Sequence, residues 1–139
     1  MKVLIDSRSY QTVTMDELCA QADIISLHCP LTDVNKHFVN AEFISKMKDG
    51  AWLINTARGP LVEEQALADA LHSGKLGGVA VDVVEVEPMR EASPLMSAPN
   101  SLITPHVAWA PDQTRQRLIG VAGANIEAFI KGEPINVVN

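Results

Sequence analysis

Arg58, Glu87 and His106 each stand just past an apolar run in a chain that alternates strand-like and helix-like segments. Arg58 follows Ala51-Trp-Leu-Ile-Asn-Thr-Ala57, Glu87 closes the run that opens at Gly78, and His106 follows Ser101-Leu-Ile-Thr-Pro105. In an open parallel α/β sheet, ligands bind in the crevice beyond the carboxyl ends of the strands. If these runs are strands of one such sheet, a guanidinium, a carboxylate and an imidazole project from one edge. That set can hold a small carboxylic acid and exchange a proton with it.

Each residue also has a plainer reading. Arg58 can grip a carboxylate with two parallel N–H bonds while a third reaches a neighbouring carbonyl. Taken alone it reads as a surface arginine paired with an acid, and Gly59-Pro60 reads as a simple chain turn. His106, following Thr104-Pro105 on a constrained backbone, can donate a proton near neutral pH. An isolated histidine there would be half-buried and hydrogen-bonded to backbone. Glu87, before Pro88, can accept the imidazole N–H, fix its tautomer and favour its charged form. Glu85 and Glu91 are rivals in the same loop. Asp82 falls inside an apolar run, where burial without a partner is costly. It reads either as a hydrogen-bond partner for a bound group or as a cap on a neighbouring loop. His28 lies at a strand end, His37 in a polar loop, and His72 near a helix C-terminus where its charge suits the dipole.

The elements that would position these residues follow from patterning. Lys2 to Ile5 reads as a short β-run ending at Asp6 and Ser7. Thr14-Met-Asp-Glu17 is a capping-box pattern and predicts a helix over Met15 to Gln21. Asp23 to His28 is β-branched and apolar and reads as a buried strand. Asn40 caps a predicted helix through Lys48, with Phe43 and Met47 on one face and Gly50 beyond it. Trp52 to Thr56 is the next strand. Glu63 to Ser73 carries Ala66, Leu67, Ala70 and Leu71 at helical spacing, with Gly74 as its left-handed stop. Gly78 to Val84 reads as a strand covered on both faces. Glu85 to Asn100 reads as a loop able to carry site residues, and Leu102 to Thr104 as a last strand. Pro111 opens a helix to about Lys131, with Leu118, Ala122, Ile126, Phe129 and Ile130 as its stripe and Gly132 as its stop. Strands and helices in alternation imply parallel βαβ units with right-handed crossovers.

Bulk properties narrow the class. A length of 139 residues suits one core, and 47% hydrophobic with 20% charged content is ordinary for a soluble globular chain. A net charge of −6 without a Lys/Arg block disfavours nucleic acid or an anionic membrane as partner. No apolar stretch reaches the ~20 residues of a membrane helix. Met1-Lys-Val-Leu-Ile5 is too short for a signal peptide core. Cys19 and Cys29 lack disulfide or metal-ligand spacing, so no metal is expected, and a reducing cytoplasm fits.

The strings around these residues resemble the D-isomer-specific 2-hydroxyacid dehydrogenase family. The likeness runs through Ala22-Asp-Ile-Ile-Ser-Leu-His-Cys-Pro-Leu-Thr32, Leu53-Ile-Asn-Thr-Ala-Arg-Gly-Pro60, Gly78-Val-Ala-Val-Asp82 to Glu87-Pro88, and Ile103-Thr-Pro-His-Val-Ala-Trp-Ala110. The closing Asn125 to Val138 is similar to members that act on glycerate and hydroxypyruvate. The resemblance implies an α/β, Rossmann-like parallel sheet with flanking helices. It implies that Arg58 binds the substrate carboxylate and carbonyl, that His106 is the acid/base, and that Glu87 pairs with His106. It implies a dinucleotide lined by His28, Cys29, Pro30, Thr56, Ala57 and Arg58, by Asp82 on the nicotinamide side, and by His106, Ala108 and Trp109. The implied reaction passes a hydride between NAD(P)H and a small 2-oxo acid, hydroxypyruvate or glyoxylate.

Two departures accompany the likeness. The fingerprint G-x-G-x-x-G is expected before Met1, so the sheet is expected to be incomplete at its N-terminal βα unit. Residues 1–139 are then a partial NAD(P)-binding domain, whose helix and tail (111–139) would return to a substrate domain outside the chain. Where family members using NAD often carry Tyr-Asp, this chain has Asp6-Ser7-Arg8-Ser9. A hydroxyl and a guanidinium at Ser7 and Arg8 point to NADP, while Asp6 keeps NAD open. An alternative function is a non-catalytic binding or assembly module, open to strand addition. A flavodoxin- or receiver-like domain fits the alternation but lacks an acidic pair at the first strand. The expected partner is a small acid, with no nucleic acid or membrane, and a homo-oligomer is left open.

Overall fold

The computed structural model describes residues 2–7, 12–89 and 92–138. They group into two compact units, Met1–His106 and Val107–Asn139. The first holds a four-stranded parallel sheet in the order β1 (Ile24–Leu27), β2 (Ala51–Asn55), β3 (Leu76–Val81), β4 (Ser101–Ile103). Three helices accompany it: α1 (Met15–Gln21), α2 (Ala41–Lys46) and α3 (Glu64–His72).

Local sequence explains the helix starts. Thr14 accepts the Glu17 N–H, and the Glu17 carboxylate accepts the Thr14 N–H at 2.9 Å, completing the expected capping box. Those same donors from Thr14 hold the Glu17 carboxyl below its ordinary range. Asn40 caps α2 by accepting the Phe43 N–H at 3.0 Å. α2 ends at Lys46 rather than Lys48, because Met47 is already extended and carried into the core. In α3 the stripe Ala66, Leu67, Ala70 and Leu71 is buried as expected. Gly74 then takes the left-handed backbone, φ 76°, that stops the helix.

The strand expected to be buried at Asp23 to His28 is covered differently from expectation. α1 packs on α2 and α2 on α3, and α3 lies against β3, all around one continuous core. Ile25, Leu27, Leu53, Val79 and Val81 point into that core. On the opposite face Ile24, Trp52 and Leu102 stay exposed, so β1 is buried on one side only. The strand order explains this. The strands succeed one another without reversal, and right-handed crossovers advancing in one direction fall on one face. The Trp52 ring nevertheless shields β3, lying so close to Gly78 that a Cβ there would stand 2.6 Å from it.

The β-run expected at Lys2 to Ile5 is not a strand. Its Ile5 exchanges hydrogen bonds with Thr12, giving its carbonyl to the Thr12 N–H at 2.8 Å. A strand needs a ladder partner, and among the described residues β1 is paired only with β2. The loop after β3 is less irregular than expected. It contains a 3-10 turn at Pro94–Met96 that sends Leu95 into the core.

The second unit carries α4 (Asp112–Ile130), which ends at Lys131 before Gly132 at φ 78°. Its expected stripe of Leu118, Ile126, Phe129 and Ile130 is present and exposed. Asn136 donates to the Asn125 side chain at 2.9 Å, tying the following tail to the helix. Among the described residues no helix is long and apolar enough to cross a membrane.

Two outcomes follow from these contacts. Thr14→Ala removes one half of the capping box and is expected to lower stability by about 1 kcal/mol in urea titration. Cys19 is fully buried, and burial, then the nearby Asp16, push its thiol up from its ordinary pKa. A thiol reagent at neutral pH is expected to label the half-buried Cys29 first and Cys19 only on unfolding. Equal labelling rates would contradict the packing of α1.

Candidate active site

One register row crosses the whole sheet: Leu27 beside Asn55, Asn55 beside Val81, Val81 beside Ile103. All four strands therefore end level, and His28, Thr56, Asp82 and Thr104 step off the same edge. That common edge is where a parallel sheet presents ligands.

Asn55 is the polar member of this row and is fully buried. Its Oδ1 accepts the Ala57 N–H at 3.0 Å, and its Nδ2 donates to the Arg58 carbonyl at 2.8 Å. Its own carbonyl accepts the Asp82 N–H at 2.9 Å. One side chain thus folds the Arg58 turn back on itself, while its backbone joins that turn to the end of β3. Sequence reading passed over Asn55. The available signal was a lone amide closing an otherwise apolar run, which must find partners when buried. Arg58 itself is exposed, with Nη1 donating to the Ala57 carbonyl at 2.6 Å. A guanidinium has further N–H groups to offer a ligand.

Gly59 proves to be more than a chain turn. A Cβ on it would stand 1.8 Å from the Val84 carbonyl oxygen and 2.1 Å from its carbon. The turn after β2 and the loop after β3 therefore meet backbone to backbone, and only glycine allows that approach. Val84 begins the segment that reaches Glu87. One Glu87 oxygen accepts the Val84 N–H at 3.1 Å, and the other meets His106 Nδ1 at 2.6 Å. A ring nitrogen so placed can donate its N–H to a carboxylate, which orients the imidazole. His106 holds a left-handed backbone, φ 54°, which is sterically costly for a non-glycine residue. Its N–H donates to the Thr104 carbonyl at 3.0 Å, which helps to hold that turn.

The rival Glu85 is engaged elsewhere, with His37 at 2.8 Å and Lys36 at 3.5 Å. Glu91 and Arg8 lie outside the described residues. Asp82 is buried, and Thr104 Oγ1 donates to its Oδ1 at 2.5 Å. Its neighbour is thus a hydroxyl of the next strand end, a partner the sequence did not single out. His28 meets the Ser26 hydroxyl at 2.9 Å. His72 Nδ1 contacts the Ala68 carbonyl at 2.8 Å within its own helix, away from this edge.

A cleft of about 520 Å³ opens at the ends of β1 and β2, lined by His28, Cys29, Pro30, Leu31, Thr56, Ala57 and Arg58. Six of these seven are residues singled out from the sequence. Asp6 and Ser7 do not line it, and Ala108 and Trp109 belong to the second unit. The arrangement can bind an extended polar ligand at one end of the edge. Arg58 offers a guanidinium within that cleft, and an imidazole–carboxylate pair stands beyond the ends of β3 and β4.

The family described as "D-isomer specific 2-hydroxyacid dehydrogenase, NAD binding domain" matches residues 2–108. A hydroxypyruvate reductase of Blautia hydrogenotrophica is 48% identical over 97% of this chain and 42% of its own length. A glycerate dehydrogenase of Methylorubrum extorquens is 47% identical over 91% of this chain and 41% of its own length. Among solved structures, an acyclic imino acid reductase in complex with NADPH and D-Arg aligns with a TM-score of 0.80 at 31% identity. That alignment covers 97% of this chain and 43% of the other. The chain spans less than half the length of the curated relatives it matches.

Gly59→Ala tests the close approach of the two loops. Because the obstacle is backbone, the substitution is expected to cost about 3 kcal/mol or more, the upper end for overpacking. Chemical denaturation would measure it, and a loss below about 0.5 kcal/mol, the range of a neutral surface change, would contradict the contact.

Proposed function

The chain belongs to the D-isomer specific 2-hydroxyacid dehydrogenase family, in its NAD-binding domain, and from that membership we propose that it carries the proton-handling site of an oxidoreductase acting on a small 2-oxo or 2-hydroxy acid. The observation that carries the proposal is the 2.6 Å contact between His106 Nδ1 and Glu87, on the sheet edge that also bears Arg58. Arg58 binds the carboxylate through N–H groups not committed to Ala57, and another reaches the 2-oxo oxygen. His106 gives a proton from Nε2 to that oxygen in reduction and takes it back in oxidation. Glu87 keeps Nδ1 protonated, orients the ring and balances the imidazolium charge. The pair is partly exposed, with 46% of the imidazole and 34% of the carboxyl side chain accessible, so its worth lies in orientation more than in stability.

A dinucleotide fits the donors present. The cleft at the ends of β1 and β2 would take it, along Cys29-Pro30 and the Thr56-Ala57 backbone, with the Asp82 carboxylate toward the nicotinamide amide. Bound there, it would supply or accept the hydride at C2 of the acid. Ser7 and Arg8 favour the 2′-phosphate of NADP, and Asp6 is the residue through which NAD would be preferred. The two curated relatives support hydroxypyruvate/glycerate as the substrate pair, with glyoxylate/glycolate as the smaller alternative.

In a turnover assay, His106→Ala is expected to lower kcat by about 10²–10⁴-fold. Arg58→Ala is expected to raise KM for the acid. Normal reduction of hydroxypyruvate and glyoxylate after His106→Ala would falsify the acid/base assignment. Wild-type protein that reduces neither acid would instead favour a binding or assembly module. Fluorescence titration with NADH and NADPH decides the coenzyme: tighter NADPH binding supports the Ser7-Arg8 reading, and tighter NADH binding overturns it.

A further inference from the structure

The loop bearing Glu87 has to hold a carboxylate against His106 while making few apolar contacts of its own. Val86 is 59% and Met89 39% exposed, and a hollow of about 360 Å³ lies under the segment. A loop so poor in buried contacts opens easily unless polar contacts hold it. Its two arms are anchored separately, by the Gly59–Val84 approach on one side and by the buried Leu95 on the other.

Between these anchors lies Glu64, in the first turn of α3. Its Oε1 accepts the Glu85 N–H at 2.8 Å, and its Oε2 accepts the Ser93 hydroxyl at 2.5 Å. Ser93 is buried, and its Oγ in turn accepts the Leu95 N–H at 3.2 Å. One carboxylate therefore takes a donor from each arm of the loop. It does so from the helix that directly follows the Arg58 turn and the 3-10 turn Gly59–Leu61. The Glu85 side chain, in contact with His37 and Lys36, ties the same arm to the segment before α2.

We propose that Glu64 is a positioning residue for the His106–Glu87 pair, closing the base of the loop so that Glu87 stays on the imidazole. The inference rests on reading that pair as the proton-handling site. Glutamate suits the position because an ionised carboxylate only accepts, and both groups aimed at it can donate. Glutamine keeps one acceptor for the Glu85 N–H, and the Ser93 hydroxyl can rotate to accept from its amide. Alanine keeps neither contact and leaves a buried hydroxyl without its partner.

Long-range proton–nitrogen NMR spectra of the neutral His106 imidazole test this without requiring turnover. They report which ring nitrogen carries the proton. Glu87→Ala supplies the reference for a ring that lacks the Glu87 contact. Glu64→Ala is expected to move the His106 signals from the wild-type position well toward that reference, and Glu64→Gln to stay near wild type. Wild-type signals in folded Glu64→Ala would overturn the proposal. If Glu64→Ala does not fold, Ser93→Ala is expected to move the signals in the same direction by less, and no movement overturns it. Identical spectra for wild type and Glu87→Ala would overturn the pair itself, separating that failure from a failure of Glu64 alone.

Discussion

The contact on which the site depends is the backbone approach of Gly59 to Val84. It brings the turn after β2 against the loop after β3 with no side chain between them. The first of these carries Arg58 and the second leads to Glu87. A Cβ at Gly59 would stand 1.8 Å from the Val84 carbonyl oxygen, so the two backbone segments would have to move apart. Asn55 works in the same direction from below, since its side chain folds the Arg58 turn while its carbonyl receives the Asp82 N–H. Two neighbouring strand ends are thereby one rigid piece.

The level ending of the strands does the rest. Because one register row runs from Leu27 to Ile103, no strand overshoots its neighbours, and the residues that follow share one edge. The groups nearest the sheet are buried and hydrogen-bonded, as with Asp82 to Thr104. The groups farther out, His106 and Glu87, are partly open to solvent. The inner groups are thus fixed by burial and hydrogen bonds, and the outer pair is accessible from solvent. This difference explains why polar contacts such as those of Glu64 matter in the outer loop, where apolar burial is thin.

Much of this was legible locally. The capping box at Thr14, the Asn40 cap, the α3 stripe and the stop at Gly74 depend on residues within a few positions of one another, and all appear as expected. Candidate residues were legible because apolar runs announce strands and strand ends announce ligand edges. Three readings failed, each on a long-range relation. Lys2 to Ile5 has strand composition but no ladder partner. Asp23 to His28 has the composition of a buried strand, yet Ile24 is exposed on one side of β1. Gly59 looked dispensable because the atom that excludes a side chain there lies 25 positions later, at Val84.

The choice between Glu85 and Glu87 shows the same division within one loop. Both carboxylates sit two positions apart in the same polar segment, and composition does not separate them. In the folded chain Glu85 faces His37 and Lys36, while Glu87 turns to His106. The sequence by itself determined the parallel α/β class, the helix boundaries to within a few residues and the set of groups that could do chemistry, because those are matters of periodicity and residue type. The tertiary structure alone decided where the rival Glu85 goes and why position 59 must lack a side chain. It also decided which buried amide and carboxylate hold the loops together. These relations join atoms distant in the chain, and only packing brings them within a hydrogen bond of one another.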